Sequence, residues 1–527
     1  MNFRGFVSIA ILGAVSLLGV TSANAKVFYV AQGSNRTSGG TSGCGDALSV
    51  AWFNNSSSWG TASHQISAGT TVFLCGAFSG RPGQQLLTVL GNGAAGNPIV
   101  IKFMPGAVLS APYWSAQGAI NIDSRSHIVV DGGTNGVIQN TANGTGRAYH
   151  QTSVGVHATR CSSCTVQNLT IANLYVRTSA SDYAATVSNN CVFWHYSDNM
   201  TVNHITCHDA TWAVAGDGNN FTLENSDIYH VDHGVASDAV GVTSGYSIHN
   251  NHFHDFANWD SPQNAYHHDG IHLWGQLGGR IVSGAIYNNT FDGDFGYNIT
   301  AQIFLQDSVQ HVAVYNNIFV APVSRVMRSL WFYAVSTSLP GGPAIGNSAY
   351  NNSVNAGSHN GGSSLMATNQ FEFTAVNNVL SGGNSDIAIM GGGSRSSTGI
   401  NHNVYRDLFA EFGVSNTFTL PGKTYHYLSA WQSACRCDAA SRLVTSLQTH
   451  FAATAGIDTV PAASDAVNTS VTATDAAADP TLQFLHSVGV GDGLNLADIA
   501  TGDLAGLAFD KNGAPRPTSG PWNVGPF

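Results

Sequence analysis

The sequence has few charged residues, which make up 9% of its 527 positions, and only 19 residues are lysine or arginine. The formal net charge of −11 provides no basic surface for a nucleic-acid backbone, so we expect no nucleic-acid partner. Lysine is rare: after residue 25 it occurs only at Lys26, Lys102, Lys423 and Lys511. Any active site in the middle of the chain must therefore work without lysine.

Long apolar runs and sustained helical periodicity are also scarce. Hydrophobic residues account for 43% of the chain but lie in short runs among 59 glycines, a composition typical of short strands and tight turns. One longer apolar stretch follows Arg4 and is followed by Ala23-Asn24-Ala25. This is the layout of a cleavable signal peptide. This stretch is short for a membrane span. We expect residues 1–25 to be removed and the mature chain to be extracellular or periplasmic, without membrane insertion, and monomeric.

Eight cysteines in an exported chain favour disulfides. Proximity in sequence predicts Cys44 with Cys75, Cys161 with Cys164, and Cys191 with Cys207. Cys435 and Cys437 are one residue apart, so we expect them to bond elsewhere or to form a strained link. Zinc at Cys161-Ser-Ser-Cys164 would need a second nearby pair, and the sequence has none.

One short phrase recurs, after its first copy, at intervals of roughly 20 to 40 residues, the spacing of one supersecondary unit per repeat. In each copy an Asn stands between apolar positions, where it can turn the chain and hydrogen-bond the Asn of the next coil. The pattern predicts an all-β, parallel β-helical solenoid with an Asn ladder; a β-sandwich or propeller is the alternative. The copies begin at Val166, Leu223, Ile248, Ile286, Val314, Ala349, Ala375 and Ile400.

Several further phrases resemble secreted bacterial right-handed parallel β-helix proteins, the broad group of pectate lyase-like and polygalacturonase-like enzymes. They include Val27-Phe-Tyr-Val30, Ala68-Gly-Thr-Thr-Val-Phe-Leu74, Ser126-His-Ile-Val-Val-Asp-Gly132 and Tyr427-Leu-Ser-Ala-Trp431. The resemblance implies a right-handed helix and an extracellular polysaccharide as substrate. We expect an N-terminal cap with the first coils at 26–100, the β-helix at 101–406, and C-terminal coils with a tail at 407–527.

Eleven of the 21 histidines fall between His195 and His272, together with several aspartates. Residues one repeat apart lie above one another on a solenoid, so this stretch could build one polar groove. Because strand side chains alternate, Ile271 and Leu273 facing the core would turn His268, His272 and Trp274 outward. The alternative is that these side chains only decorate a solvated face. We predict catalytic residues Asp269, His268, His272, Asp232, His233 and Asp255, and substrate-binding residues Trp274, Tyr266, Trp259, Arg280, Arg325 and Arg328.

Two routes of glycosidic-bond cleavage fit these residues. Hydrolysis needs two carboxyl groups, about 5 Å apart for retention or about 6.5 to 9.5 Å for inversion, and Asp269 with a neighbouring aspartate could supply them. His268-Asp269-Gly270-Ile271 resembles a segment of polygalacturonase-like hydrolases and implies that Asp269 is the general acid, although that family's later motifs are missing here. Elimination needs a base, such as His233 or His268, and a cation beside a uronate. Because carboxylates are available and lysine is not, hydrolysis is slightly favoured.

The sequence requires no cofactor, although calcium held by Asp232, Asp238 or Asp255 could supply missing positive charge. A transition-metal site, for instance His230, Asp232 and His233 with His254, is a further hypothesis. Two other functions stay open on the same scaffold: a non-catalytic glycan-binding or adhesin solenoid, and a polysaccharide epimerase. A catalyst should place Asp269 within about 10 Å of a second carboxylate or an imidazole in one cleft.

Overall fold

The protein is described by a computed structural model. It covers residues 26–182, 188–261, 267–297, 299–320, 328–355, 362–381, 385–391, 399–406, 415–444, 488–493, 509–516 and 522–524. The predicted signal peptide lies outside these ranges, as do Tyr266 and Arg325. Within them, no helix is long and apolar enough to cross a membrane.

The described chain winds into a parallel β-helix whose coils each contribute strands to three faces. Strands of successive coils pair in parallel along each face, which confirms the predicted right-handed parallel β-helix class. The first face consists of Val27–Val30, Thr71–Leu74, Ile99–Phe103, the starts of Ile128–Asn140 and Thr165–Ala172, then Thr201–Asn203, Thr222–Glu224, Tyr246–His249, Gly284–Tyr287, Val312–Tyr315, Ser348–Tyr350, Thr374–Val376 and Gly399–Asn401.

The second and third faces follow the first in each coil. The second face consists of Ala77–Ser79, Val108–Ala111, the ends of Ile128–Asn140 and Thr165–Ala172, the starts of Thr206–Ala215 and Asp227–Ala239, then His252–His254, Thr290–Asp292, Ile318–Val320, Ser353–Asn355, Val379–Ser381, Val404–Arg406 and Arg442–Val444. The third face consists of Leu87–Thr88, Ile120–Asn121, Ser153–His157, Asn189–Phe193, the ends of Thr206–Ala215 and Asp227–Ala239, then His268–Gly275, Ile299–Gln306, Arg328–Tyr333, Ser363–Thr368, Ser385–Met390 and Phe418–Leu420.

The remaining elements are short. Two α-helices, Val50–Phe53 and Leu428–Cys435, and three 3-10 helices, Cys44–Asp46, Ser56–Ser58 and Ala257–Trp259, lie in the described parts of the chain. Val242–Thr243 pairs in parallel with Arg280–Ile281, while two pairings are antiparallel: Phe418–Leu420 with Lys423–Tyr425, and Val488–Gly493 with Trp522–Val524.

A buried Asn ladder runs between the first and second faces, as the repeated phrase predicts. Asn251 Nδ2 donates to Asn289 Oδ1 at 3.0 Å, and this bond is repeated from coil to coil. The ladder continues through Asn317, Asn352, Asn378 and Asn403 at 3.0 to 3.1 Å. Because buried amides must be hydrogen-bonded, the ladder fixes which coil packs on which.

The interior of the solenoid is filled by stacked apolar side chains. The rings of Phe253, Phe291 and Phe319 stack with centroid distances of 4.9 and 4.8 Å. Ile271 and Leu273 are also fully buried in this core, as the sequence predicts. His272 and Trp274, which follow them in alternation on the strand His268–Gly275, are thereby directed away from this core.

The cysteine pairings follow sequence proximity. The predicted links Cys44–Cys75, Cys161–Cys164 and Cys191–Cys207 are present. Of the two alternatives for the last two cysteines, bonding elsewhere is wrong, because Cys435 bonds directly to Cys437. Cys435 ends the helix Leu428–Cys435, and Arg436 then adopts a left-handed conformation with φ of 56°, which brings the two cysteines together.

A C-terminal segment lies against the middle coils. The carbonyl of Phe509 accepts a hydrogen bond from Asn316 Nδ2 at 2.9 Å, and Lys511 Nζ donates to the carbonyl of Asn288 at 2.6 Å. Arg516, which is buried, donates to Asn316 Oδ1 at 3.0 Å. The described part of the tail therefore contacts the corner after the first face, well before the final coils.

Candidate active site on the third face

The candidate site is built on two neighbouring strands of the third face, Asp227–Ala239 and His268–Gly275. Their register sets His233 beside Asp269, and Ala236 beside His272. Residues from different coils thus become lateral neighbours at the spacing of adjacent strands, about 4.8 Å. We name the group His233, His267, Asp269 and His272 the imidazole–carboxylate cluster.

A glycine breaks the alternation of sides in the second of these strands. A methyl group on Gly270 would lie 2.7 Å from the ring of Phe291 and 2.4 Å from the backbone oxygen of Gln302, so Gly270 and Ile271 both face the interior. Asp269 and His272 consequently lie on the same side, with Asp269 Oδ2 3.5 Å from His272 Nδ1. This local break positions the carboxylate under the imidazoles.

Because of the same break in alternation, the predicted outward orientation of His268 is wrong. His268, expected to face outward, is completely buried. Its Nδ1 lies 3.0 Å from Asp232 Oδ1, and its Nε2 lies 3.0 Å from Asp260 Oδ1. His268 therefore joins two carboxylates beneath the surface and is not itself presented to a ligand.

Three imidazole nitrogens approach one oxygen of Asp269. Asp269 Oδ2 lies 3.3 Å from His233 Nε2, 3.5 Å from His272 Nδ1 and 3.6 Å from His267 Nε2. Asp269 is fully buried, whereas the side chain of His267 is 51% exposed and forms the solvent side of the cluster. The other oxygen of Asp269 accepts a hydrogen bond from the backbone N–H of Ala301 at 3.0 Å.

The outer nitrogens of two imidazoles are held by further side chains. His233 Nδ1 lies 2.8 Å from Asp232 Oδ2, and His272 Nε2 lies 2.9 Å from Gln306 Oε1. These contacts fix both ring orientations, because each ring has a defined hydrogen-bond partner on the side away from Asp269.

Burial and neighbouring charges separate the pKa values of these groups. Burial raises the pKa of the Asp269 carboxyl and lowers that of His272 well below its ordinary value. Burial would also lower the pKa of His233, but the Asp232 carboxylate outweighs it and raises the pKa to about 10. Burial opposes the charged form of Asp232 too, yet His233 and His268 hold its pKa well below the usual range. Divergent pKa values of this kind are typical of functional sites.

Aromatic side chains continue from the cluster along the third face. The ring of His272 stacks on Phe304 at 4.7 Å, and Phe304 stacks on Trp331 at 4.9 Å. Trp274, half-buried, lies 4.2 Å from the His272 ring, as its predicted outward position requires. Arg328 lies 4.3 Å from the centre of the Trp331 ring, and burial lowers its pKa while Asp269 opposes the shift.

Three of the predicted site residues lie away from this cluster. Trp259 is fully buried and its Nε1 donates to the carbonyl of His230 at 3.1 Å, so its ring cannot stack on a sugar. Asp255 pairs with His254 at 2.8 Å next to the second face. Arg280 begins the short strand Arg280–Ile281, paired with Val242–Thr243.

The predicted transition-metal set, His230, Asp232, His233 and His254, is also not assembled as proposed. His230 lies 3.8 Å from Asp209, while Asp232 and His233 turn toward the third face. Within the described ranges, two groups of side chains have ligand atoms close enough to hold an ion. They are the imidazole–carboxylate cluster and a second group, Asp227, His252 and His254. Sequence reasoning selected His233, Asp269 and His272 but missed His267, although the pair His267-His268 before Asp269 is a signal that could have found it.

Comparisons with known proteins give structural neighbours only. No protein-family model and no curated protein sequence matches the chain. A family 136 lacto-N-biosidase from Eubacterium ramulus is similar over 72% of this chain and 68% of its own, at 11% identity and a TM-score of 0.46. The surface protein and adhesin PfbA of Streptococcus pneumoniae is similar over 67% of this chain and 92% of its own, at 11% identity and a TM-score of 0.43. A family 6 polysaccharide lyase from Pseudopedobacter saltans is similar over 72% of this chain and 88% of its own, at 12% identity and a TM-score of 0.35. These similarities are too remote to assign an activity.

Proposed function

We propose that this protein is a secreted, carbohydrate-active enzyme that cleaves glycosidic bonds of an extracellular polysaccharide bound along the third face. The observation that carries the proposal is the convergence of His233, His267 and His272 on Asp269, at 3.3 to 3.6 Å. Titratable groups with opposed pKa shifts gather where proton transfer is needed, and such a cluster satisfies the distance criterion set for a catalyst.

The aromatic surface supports a sugar as the ligand. Trp274 and Trp331 are half-buried on the third face, so part of each ring is open to solvent next to the cluster. Amphipathic rings with one accessible side suit the apolar faces of pyranose sugars, while nearby polar groups bind hydroxyls. A polysaccharide lying across several coils would contact both features together.

Hydrolysis remains slightly favoured as the route of cleavage. Asp232 and Asp269 are joined through His233, with 2.8 and 3.3 Å contacts at its two nitrogens, so two carboxyl groups flank one imidazole. Elimination is the second candidate because Arg328, whose pKa is influenced by Asp269, could neutralise a uronate carboxylate. The two routes yield different products from the same polysaccharide.

The test is incubation of the purified mature protein with a panel of neutral and acidic polysaccharides. We expect new reducing ends, without ultraviolet absorbance from unsaturated uronates for hydrolysis and with it for elimination. Asp269→Asn should lower the rate by about 100-fold or more, the scale of losing one acid–base group. Asp438→Asn is the matched control, because Asp438 is equally buried but hydrogen-bonds Tyr405 and Trp431 in the C-terminal coils.

Other outcomes contradict the proposal. Binding of one polysaccharide without any cleavage would make the protein a glycan-binding solenoid. A changed uronate composition without new chain ends, measured by NMR, would make it an epimerase. Equal activity of the Asp269→Asn variant and the Asp438→Asn control would remove the cluster from the reaction.

A further inference from the structure

The three distances from imidazole nitrogens to Asp269 Oδ2 in the imidazole–carboxylate cluster are those between neighbouring ligand atoms of a metal ion. A tetrahedral zinc ion binds nitrogen and carboxylate oxygen at about 2.0 to 2.2 Å, which sets neighbouring ligand atoms about 3.3 to 3.5 Å apart. The three nitrogens lie 3.3, 3.5 and 3.6 Å from Asp269 Oδ2. All four candidate ligand atoms lie within 4.8 Å of one another.

Direct hydrogen bonding explains this arrangement poorly. Asp269 Oδ2 is buried and accepts no hydrogen bond from the described residues, although three imidazoles face it. N–H···O hydrogen bonds are usually 2.7 to 3.2 Å long, shorter than any of these three contacts. A buried carboxylate oxygen left without a hydrogen bond is costly, and a bound cation would remove that cost.

The surrounding contacts have the pattern of an outer ligand shell. Imidazoles that bind a metal through one nitrogen usually donate the other N–H to a carboxylate or carbonyl oxygen. His233 meets Asp232 Oδ2 at 2.8 Å, and His272 meets Gln306 Oε1 at 2.9 Å, each on the side away from Asp269. His268 in turn holds the second oxygen of Asp232 at 3.0 Å.

The second group, Asp227, His252 and His254, differs from the imidazole–carboxylate cluster in its contacts. His252 contacts Asp227 at 3.2 Å and Asp292 at 2.7 Å, and His254 contacts Asp227 at 3.1 Å and Asp255 at 2.8 Å. Both nitrogens of both rings are therefore occupied by carboxylates. That group is a set of direct ion pairs and leaves no nitrogen lone pair for a metal.

We propose that His233, His267, Asp269 and His272 bind one divalent transition-metal ion, with zinc as the preferred ion. Three nitrogens and one oxygen suit zinc, whereas calcium takes six to eight oxygen ligands. The inference is independent of the proposed function, because zinc binding requires only these four side chains and no polysaccharide. The half-exposed His267 leaves the ion close to solvent.

The experiment measures metal binding directly, without substrate. The mature protein is stripped with a chelator, passed through gel filtration and titrated with zinc by calorimetry, with calcium as a separate titrant. Bound zinc is counted by elemental analysis. We expect one zinc per chain, no calcium binding that competes with it, and the visible absorption of tetrahedral cobalt when cobalt(II) replaces zinc.

Single-residue variants test which side chains bind the ion. His267→Gln changes an exposed side chain, so the fold should persist while zinc affinity falls by about 100-fold or more. Asp232→Asn, which changes a partner of His233 and His268 but no proposed ligand, should weaken zinc binding by about 10- to 100-fold. His254→Gln in the second group should leave stoichiometry and the cobalt spectrum unchanged. Absence of stoichiometric zinc, unchanged affinity in His267→Gln, or equal loss in His254→Gln would overturn the proposal.

Discussion

Histidine and aspartate side chains are arranged differently on two faces of this solenoid. On the third face, three imidazoles surround one carboxylate oxygen without short hydrogen bonds. On the second face, His252 and His254 bridge Asp227 and two further aspartates at 2.7 to 3.2 Å. The two cases differ in the number of carboxylates per imidazole, because every ring nitrogen of His252 and His254 lies within 3.2 Å of a carboxylate oxygen.

This difference predicts a pH-dependent contribution to stability from His254. Burial would lower its pKa, but hydrogen bonds to Asp227 and Asp255 raise it to about 9. A group whose pKa is raised on folding stabilises the folded state fully below its unfolded pKa, about 6.5, and this contribution disappears as pH rises through 9. Its upper limit is about 3 kcal/mol, from about 1.4 kcal/mol per pKa unit.

We therefore expect His254→Gln to lower the free energy of unfolding most at pH 6 and least at pH 10. Denaturant unfolding at a series of pH values measures this difference. His64→Gln serves as the control, because His64 is exposed on the N-terminal coils, far in sequence from these ion pairs. A His254→Gln deficit that stays constant from pH 6 to pH 10 would contradict the assigned ion pairs.

At the scale of elements, the two residues of an Asn-Asn pair in the repeated phrase have different roles. The first Asn, such as Asn288 or Asn316, adopts a left-handed conformation with φ of 56° or 55°. The second, Asn289 or Asn317, is buried and hydrogen-bonds the next coil. A polar residue that tolerates positive φ turns the chain, and its neighbour then meets the same residue one coil away.

Asn317→Ala should strongly destabilise the solenoid. The Asn317 amide donates to the carbonyls of Ile286 and Tyr315 and to Asn352 Oδ1, and its own oxygen accepts from Asn289. Removing it leaves several buried groups unpaired, at about 1 to 3 kcal/mol each. The urea midpoint should fall markedly, while Asn203→Ala, a half-buried Asn at the end of a first-face strand, should change it little.

At the scale of the whole molecule, the parallel register stacks side chains from separate strands into continuous columns on the outside of the solenoid. His272, Phe304 and Trp331 come from three successive coils and stack in order along the third face. A second column, His208, Tyr229 and His254, stacks along the second face. A polysaccharide that lies along the axis of the solenoid would contact one column and not the other.

If the substrate follows the third face, Trp331→Ala should raise KM about 5- to 20-fold with little change in kcat. The loss corresponds to about 1 to 2 kcal/mol of binding, the scale of one well-placed aromatic contact. Steady-state kinetics on the polysaccharide cleaved in the panel measures both constants. Tyr229→Ala on the second face is the matched control, and a comparable rise in its KM would place the substrate elsewhere.

The sequence alone determined the architecture and the rough place of the site. The recurring phrase with its Asn fixed the parallel coils and the Asn ladder, because a buried amide and a left-handed turn each require that residue type. Ile271 and Leu273 marked the inner side of their strand, and Trp274 is half-buried as the outward prediction requires, whereas His272 on the same side is covered and only 6% exposed. These features depend on neighbours along the chain and on a regular repeat, both visible in a single sequence.

Only the tertiary structure decided which histidines and aspartates meet. Strict alternation predicts an outward His268, but the close approach of Gly270 to the next coil reverses the sides, and His268 is buried between Asp232 and Asp260. Coil lengths are unequal, so spacing in sequence could not show that His233 lies beside Asp269 or that Asp255 faces elsewhere. Contacts between coils depend on register and backbone approach, which a one-dimensional pattern does not contain.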